Sequence, residues 1–422
     1  MNSGLYEDLV SSNQLIKHEE TKVKATGADG WKVIKPEVVP FISYYYEWSF
    51  SMLKDAALLT LDIQKKAIKY GMSLKDSSAF NIQFYHGKPI LIDTLSFEKL
   101  PEGKPWIAYQ QFVENFLAPL YIMAKVDVDL GRLTSVFING IPLEIAAKML
   151  PFKERLNPSL LIHIFAHAST QKKYSDKKLD AKTKARNFSK TALLGLVDNL
   201  EGAIKKATWS PKGTQWEDYY EEDKNNYKNE SFKHKAELVK KYLKATKSKT
   251  VWDIGANTGL FSKIAAELGA ETIAFDIDHG ALEKNYLDIV KRDGVENLLP
   301  LFLDLATPTP AVGWENMERE SVFDRGPADA VLALAVIHHL AITFKAPFVY
   351  QAQAFAKMGK YLIVEFVDKT DSQVQLLVTN RDDILADFTK ENFEKAFKQY
   401  FRIKEQTTIK GSKRTLYLME RL

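Results

Sequence analysis

The sequence predicts an α/β chain of two domains, with a doubly wound sheet in the second, and three observations carry that prediction. One is V-W-D-I-G-A-N-T-G at 251–259, where Val251, Trp252 and Ile254 flank Asp253 and a glycine-spaced turn runs from Gly255 to Gly259. Another is a pair of apolar runs that end in acids, ETIAFD at Asp276 and NLLPLFLD at Asp304. The last is the close of the chain, where FRIKEQTTI (401–409) and RTLYLME (414–420) flank a turn at Gly411.

Each element has a local reason. Glycine lets the backbone turn sharply and lie against a ligand with no side chain between them. LFSKIAAEL (260–268) follows at once with apolar residues at helical spacing, and Gly269 stops it. The free N–H groups at the start of such a helix favour a carboxylate or a phosphate. Strand, tight turn and helix in this order open a nucleotide-binding doubly wound sheet. ADAVLALA (328–335) is a fourth strand that runs into VIHHL (336–340), and KYLIVEF (360–366) is a fifth. The closing runs read as a hairpin, which is not how an NAD domain finishes.

On these residues the C-terminal half resembles a class I S-adenosylmethionine-dependent methyltransferase, a Rossmann-like sheet of seven strands with the last antiparallel. The resemblance implies a cofactor, S-adenosylmethionine, and roles for particular residues. Asp253, Gly255, Asn257 and Gly259 match the family's cofactor loop, with Asn257 where the middle glycine often stands, and the methionine end of the cofactor is expected to rest there. Asp276 is expected to hold the ribose hydroxyls, with Ile277 beside the adenine. Asp304 is expected to accept a hydrogen bond from the adenine amino group, with Leu305 next to it. Any one of these acids alone reads as a helix cap or a solvated turn. Three at successive strand ends favour the cofactor.

The first half is read from DAALLTLDIQKKAIKY (55–70), a helix that ends before Gly71, and from two apolar runs, FNIQFY and PILID, around His86-Gly87-Lys88. Those runs predict a hairpin. Helix, an Asp-x-x-x-x-Asn loop, hairpin and then Asp is similar to the catalytic centre of protein-kinase-like and aminoglycoside-phosphotransferase-like folds. The resemblance maps the family's hydroxyl-orienting Asp onto Asp76 and its magnesium-holding Asn and Asp onto Asn81 and Asp93. The departures are large: Leu74 stands where the family has His, Thr94-Leu95 follow Asp93, and no glycine-rich phosphate loop precedes the helix. A degenerate, mostly helical kinase-like domain over 1–186, followed by the methyltransferase domain over 187–422, is the expected organisation. Apolar IAYQQFVENFLAPLYIMA (107–124) belongs to a core helix interrupted at Pro119. His163 and His167 are helical neighbours with no acidic third ligand, so they read as a packed pair and no metal is expected.

Composition sets bounds. At 422 residues the chain exceeds one comfortable core. It has no cysteine, which excludes disulfides, thiolate metal sites and a cysteine nucleophile. The N-terminus, MNSGLYEDLV, carries acids where a signal peptide needs basic residues and then an apolar core, so a cytoplasmic location is expected. No apolar run is long enough to cross a membrane. The formal charge of +4 gives no argument for nucleic acid; its basic concentration, 172–186, reads as a solvated linker.

The chemistry is expected after the fourth strand. Methyl transfer is an in-line displacement in which the protein mainly aligns the partners. A hydroxyl acceptor must also lose a proton, and His338 or His339 is placed to take it. Asn-Pro-Pro-Tyr, the signature of adenine and glutamine methylation, is absent there. Trp216, Tyr219, Tyr220 and Tyr227, ahead of the first strand, are candidates for a lid. Glu365, with Asp368 and Asp371, is a candidate for meeting a cationic acceptor. The leading expectation is a methyltransferase acting on an oxygen of a small molecule. The alternatives are a bifunctional kinase-methyltransferase acting on a glycan or natural product, an rRNA or protein methyltransferase, and a non-catalytic scaffold.

Overall fold

The protein is described by a computed structural model over residues 3–26, 30–168, 188–211, 229–378 and 387–422. It divides into two compact units, Met1–Ser210 and Pro211–Leu422. The division therefore falls later than the expected boundary after 186. The helix Lys190–Lys206 explains the difference, because it packs against Phe50–Lys69 of the first unit. Lys65 of that longer helix pairs with both Asp198 and Glu201 of the shorter one.

The first unit is built on Phe50–Lys69, with its buried face at Leu53, Ala57, Leu61, Gln64 and Ile68. Gly71 ends the helix with φ of 71°, a conformation that costs other residues roughly 1–2 kcal/mol. The expected hairpin is present as Ile82–Tyr85 paired antiparallel with Lys88–Leu91. Its turn residues, His86 and Gly87, both have positive φ, 49° and 70°, as a two-residue hairpin turn of matching twist demands. Pro119 does not break its helix. A π-helical stretch, Val113–Leu117, lies between the helical segments Tyr109–Phe112 and Ala118–Lys125, and it accommodates the proline's missing N–H. Two short strands without a periodic signal, His18–Glu20 and Ile34–Pro36, pair near the N-terminus.

Among the described residues, the first elements of the second unit are α1 (Asn229–Thr246) and β1 (Thr250–Ile254). Then come α2 (Leu260–Glu267), β2 (Glu271–Asp276), α3 (His279–Lys284) and β3 (Leu298–Phe302). After an excursion the chain forms β4 (Ala328–Ala333), α4 (Ile337–Ile342), α5 (Phe348–Met358) and β5 (Gly359–Val367). It closes with α6 (Ser372–Val378), α7 (Lys390–Phe397), β6 (Phe401–Thr408) and β7 (Arg414–Arg421).

The seven strands form one sheet in the order β6-β7-β5-β4-β1-β2-β3. Pairs from β5 to β3 are parallel, and β7 runs antiparallel to both β5 and β6. Strand order reverses between β1 and β4, the place where doubly wound sheets bind ligands at the carboxyl ends of their strands. The antiparallel register sets Arg414, the first residue of β7, opposite Val367, the last of β5. It thereby delivers a guanidinium to that same carboxyl edge. On one face, α1 and α2 cover the sheet through Val239, Tyr242, Leu243, Phe261 and Ala265 against Val251, Leu332, Ile363 and Leu416.

Candidate active site

The turn after β1 is held by backbone. The N–H groups of Gly255 and Ala256 both donate to the Phe275 carbonyl of β2, and Gly259 donates to Ala256. Gly255 has φ of 72°, and a β-carbon there would lie 2.4 Å from Cγ2 of Val336. Asn257 also has positive φ, 51°, which asparagine tolerates better than most residues. It fills the middle position without needing glycine.

Asp276 ends β2 and closes the turn. Its Oδ2 accepts from the Asn257 N–H at 2.6 Å and its Oδ1 from the Asp278 N–H at 2.8 Å. Burial pushes its carboxyl up to about 6, against the pull of those backbone N–H groups. Asp253 is buried too; its Oδ2 accepts from the Ser262 hydroxyl at 2.7 Å, while Oδ1 has no partner among the described residues. Burial raises it to about 7. Two acids held partly protonated in one place are ready to accept a cation, because positive charge nearby would restore their ionisation. Ile277 stands exposed directly after Asp276, an apolar side chain beside the site.

Asp304 is positioned differently from those two acids. Its Oδ1 accepts from the N–H groups of Ala306 and Thr307, and its Oδ2 from the Thr307 hydroxyl. It therefore organises its own turn, with Leu305 half-buried beside it. Its oxygens retain further lone pairs.

The two histidines follow β4 through Ala335, a non-glycine residue with φ of 57°. They open the short helix α4, with ring centroids 4.2 Å apart. His338 is 2% exposed, and its Nδ1 has no partner among the described residues. His339 is half-buried. Burial holds His338 well below its usual range, and the neighbouring His339, Arg414 and Lys235 push the same way. Burial, then the charge of Arg414, lowers His339 to about 4. Both imidazoles are neutral at pH 7.

Glu365 does not stand free to meet a cationic acceptor, as the sequence reading expected. It is fully buried, with Oε2 accepting from Lys235 Nζ at 2.6 Å and Oε1 3.5 Å from Arg414 Nη1. Arg414 in turn grips Asp371 through Nε and Nη2, at 2.8 and 3.2 Å. Asp368 accepts from the backbone and hydroxyl of Thr370. The acids read from sequence as one edge are thus divided between a buried ion-pair chain and a local turn.

Lys235 and Arg414 were not found by sequence reasoning. A signal for Lys235 existed, since Phe232, Lys235, Val239 and Tyr242 follow one another at spacings of three and four along α1. Trp216, Tyr219, Tyr220 and Tyr227 lie outside the described residues.

In the first unit the structure brings Asn81 and Asp93 together through Ser96. Asn81 Nδ2 donates to Ser96 Oγ at 3.1 Å, and that hydroxyl donates to Asp93 Oδ2 at 2.7 Å. Asp93 Oδ1 accepts from the Leu95 N–H, and Asp76 Oδ1 accepts from Ser78 and Gln111. His163 has both nitrogens engaged, Nδ1 with Tyr109 Oη and Nε2 with Asn199 Oδ1, each at 2.7 Å. It is a hydrogen-bonded core residue.

Strand order, the antiparallel β7, the glycine turn after β1 and the acid that ends β2 define the second unit as a class I methyltransferase fold. The chain belongs to the family of the nodulation protein NoeA: it is 34% identical to NoeA of Rhizobium meliloti (strain 1021) over 394 residues, 92% of this chain and 82% of that protein. No family model matches the chain. Among solved structures, WbdD superposes at a TM-score of 0.32 and 14% identity, over 46% of this chain and 40% of its own. Magnesium protoporphyrin IX methyltransferase from Synechocystis PCC 6803, solved with bound SAH, does so at 0.32 and 17%, over 46% and 84% respectively.

The buried ion-pair chain yields a stability prediction. Glu365→Gln removes the carboxylate that Lys235 and Arg414 share, and breaking a buried pair typically costs about 3–5 kcal/mol. Urea unfolding of the second unit is expected to show a loss of that size. A loss under about 1 kcal/mol, the range of an exposed pair, would contradict it.

Proposed function

We propose that the second unit transfers a methyl group from S-adenosylmethionine to an oxygen of a small-molecule acceptor. The observation that carries the reading is the turn Gly255–Gly259 closed onto Asp276, because it combines a backbone cradle with a buried acid at the switch point of the sheet. The chain's residues fit that cofactor. Side chains are missing where Gly255 and Gly259 face Val336 and Asn285, so the cradle accepts no β-carbon. Asp276 offers its remaining lone pairs to a ribose diol, Ile277 an apolar flank to a base, and Asp253 and Asp276 negative charge to a cation. Asp304 and Leu305 would border the adenine.

When bound, S-adenosylmethionine supplies a methyl carbon activated by its sulfonium. The chain must align an acceptor with it and remove the acceptor's proton. We assign that role to His339, the less buried of the pair, and a packing role to His338. A neutral imidazole is an available proton acceptor. Its low basicity means that proton transfer accompanies methyl transfer rather than preceding it.

We read the first unit as a domain that binds or packs without phosphoryl transfer. Asp93 and Asp76 support this, since both are engaged in hydrogen bonds within their own turns.

Asp276→Ala is expected to weaken S-adenosylmethionine binding by about 1.5–3 kcal/mol for each hydrogen bond to charge that is lost, with the fold intact. In the wild type, affinity should fall with pH as Asp253 and then Asp276 take up protons, through about 7 and about 6. Calorimetry that found unchanged affinity in a folded variant, or no decline between pH 7 and 5, would remove the ribose assignment.

His339→Ala is expected to lower turnover about 10²–10⁴-fold with cofactor affinity nearly unchanged, whereas His338→Ala should mainly lower stability. Near-normal turnover in both variants would leave alignment as the sole catalytic device.

The first unit should show no magnesium-dependent ATP binding or hydrolysis. ATP binding that disappears in Asp93→Ala would instead support a bifunctional enzyme.

A further inference from the structure

One side chain against the glycine turn has no part in the roles above. Asn285 directly follows α3 and begins a π-helical stretch, Asn285–Arg292. It is fully buried, and neither Oδ1 nor Nδ2 has a hydrogen-bond partner among the described residues. Its amide lies directly against the turn: a β-carbon on Gly259 would be 2.4 Å from Nδ2 and 2.8 Å from Oδ1. Gly259, with φ of 84°, is thus required twice over, by its backbone conformation and by this amide.

A buried amide without partners is expensive. A buried donor or acceptor left unsatisfied costs about 1–3 kcal/mol, and native structures satisfy the great majority of these groups. An apolar side chain of the same size would fit a purely structural position better. The irregular helix points the same way, since π-helical turns frequently mark functional sites. Two nearby acids are engaged elsewhere: Asp278 accepts from Gly280 and Ala281, and Asp276 from Asn257 and Asp278. No described residue supplies what Asn285 lacks.

Building on the methyltransferase reading, we propose that Asn285 is a further cofactor-binding residue, whose amide pairs with the aminoacyl end of S-adenosylmethionine at the glycine turn. That end presents an ammonium donor and a carboxylate acceptor side by side. A primary amide meets both at once, accepting through Oδ1 and donating through Nδ2. Asp276 and Ile277 serve the adenosine half, so the two halves of the cofactor are recognised from opposite ends of α3.

Asn285→Leu separates a ligand role from a structural one, because the two move in opposite directions. The test measures thermal stability without ligand and calorimetric affinity for two probes. S-adenosylhomocysteine has the aminoacyl end, and 5′-methylthioadenosine lacks it while keeping the adenosine. The variant is expected to have an unchanged or higher Tm, at least about tenfold weaker binding of S-adenosylhomocysteine, equivalent to about 1.4 kcal/mol, and unchanged binding of 5′-methylthioadenosine. A lower Tm with unchanged affinity for both probes would overturn the proposal. Should that variant fail to fold, Asn285→Asp keeps the volume and replaces a donor with a charge that repels the carboxylate. It should discriminate between the probes in the same way, and equal losses for both would overturn the aminoacyl assignment. Wild-type protein that binds neither probe would overturn the methyltransferase reading and this assignment with it; wild-type binding with an unaffected variant overturns the assignment alone.

Discussion

The carboxyl edge of the sheet depends on one buried interaction, the carboxylate of Glu365 between Lys235 and Arg414. Lys235 comes from the helix ahead of β1, Glu365 from β5 and Arg414 from the antiparallel β7. Through Asp371 the same guanidinium holds the segment that leads into α6. Taking these charges out of water is costly, and only their mutual pairing with good geometry offsets it. The antiparallel last strand makes the arrangement possible. A parallel strand would begin at the opposite edge, and Arg414 would lie far from Glu365.

That ion-pair chain also sets the chemistry of its neighbours. Arg414 and Lys235 add positive charge near His338, and Arg414 does so near His339, where burial already favours the neutral ring. Across the turn, Asp253 and Asp276 are buried and hold their protons to higher pH than usual. The sheet edge therefore contains neutral bases on one side and under-ionised acids on the other. As the pH falls from about 6.5 towards 4, an unfolded chain would protonate its histidines while the folded protein would not, so these residues withdraw stability on the acid side. The two acids act oppositely, favouring the empty folded state below about pH 4 and losing that contribution as the pH rises through 6 and 7. Positively charged ligand would relieve the acids' cost.

Much of the second unit was legible in the sequence because its elements have strong local signals. ETIAFD is both the expected and the observed β2, and KYLIVEF differs from β5 by one residue at each end. The glycine turn was legible because left-handed backbone and close packing leave few other residues possible. The sequence did not reveal what each acid faces. Asp276 and Asp304 look alike as strand-terminal acids, yet one closes the glycine turn and the other caps its own. Glu365 read as surface because its partners, Lys235 and Arg414, are 130 residues upstream in one case and on a strand of reversed direction in the other. The division after Ser210 rests on a similar contact between distant segments. Whether the helix Lys190–Lys206 belongs to the first or second unit is decided by packing, which no local pattern encodes.

The cofactor class is tested by the thermal transition of the wild-type protein with S-adenosylhomocysteine and, separately, with NAD. Both ligands suit a glycine turn backed by an acid in a doubly wound sheet, but a sheet that ends with an antiparallel strand favours the first. A ligand at about one hundred times its Kd stabilises the folded state by about 2.7 kcal/mol. S-adenosylhomocysteine is expected to raise Tm in a saturable way, and NAD to leave it unchanged. A rise with NAD, or none with S-adenosylhomocysteine, would contradict it.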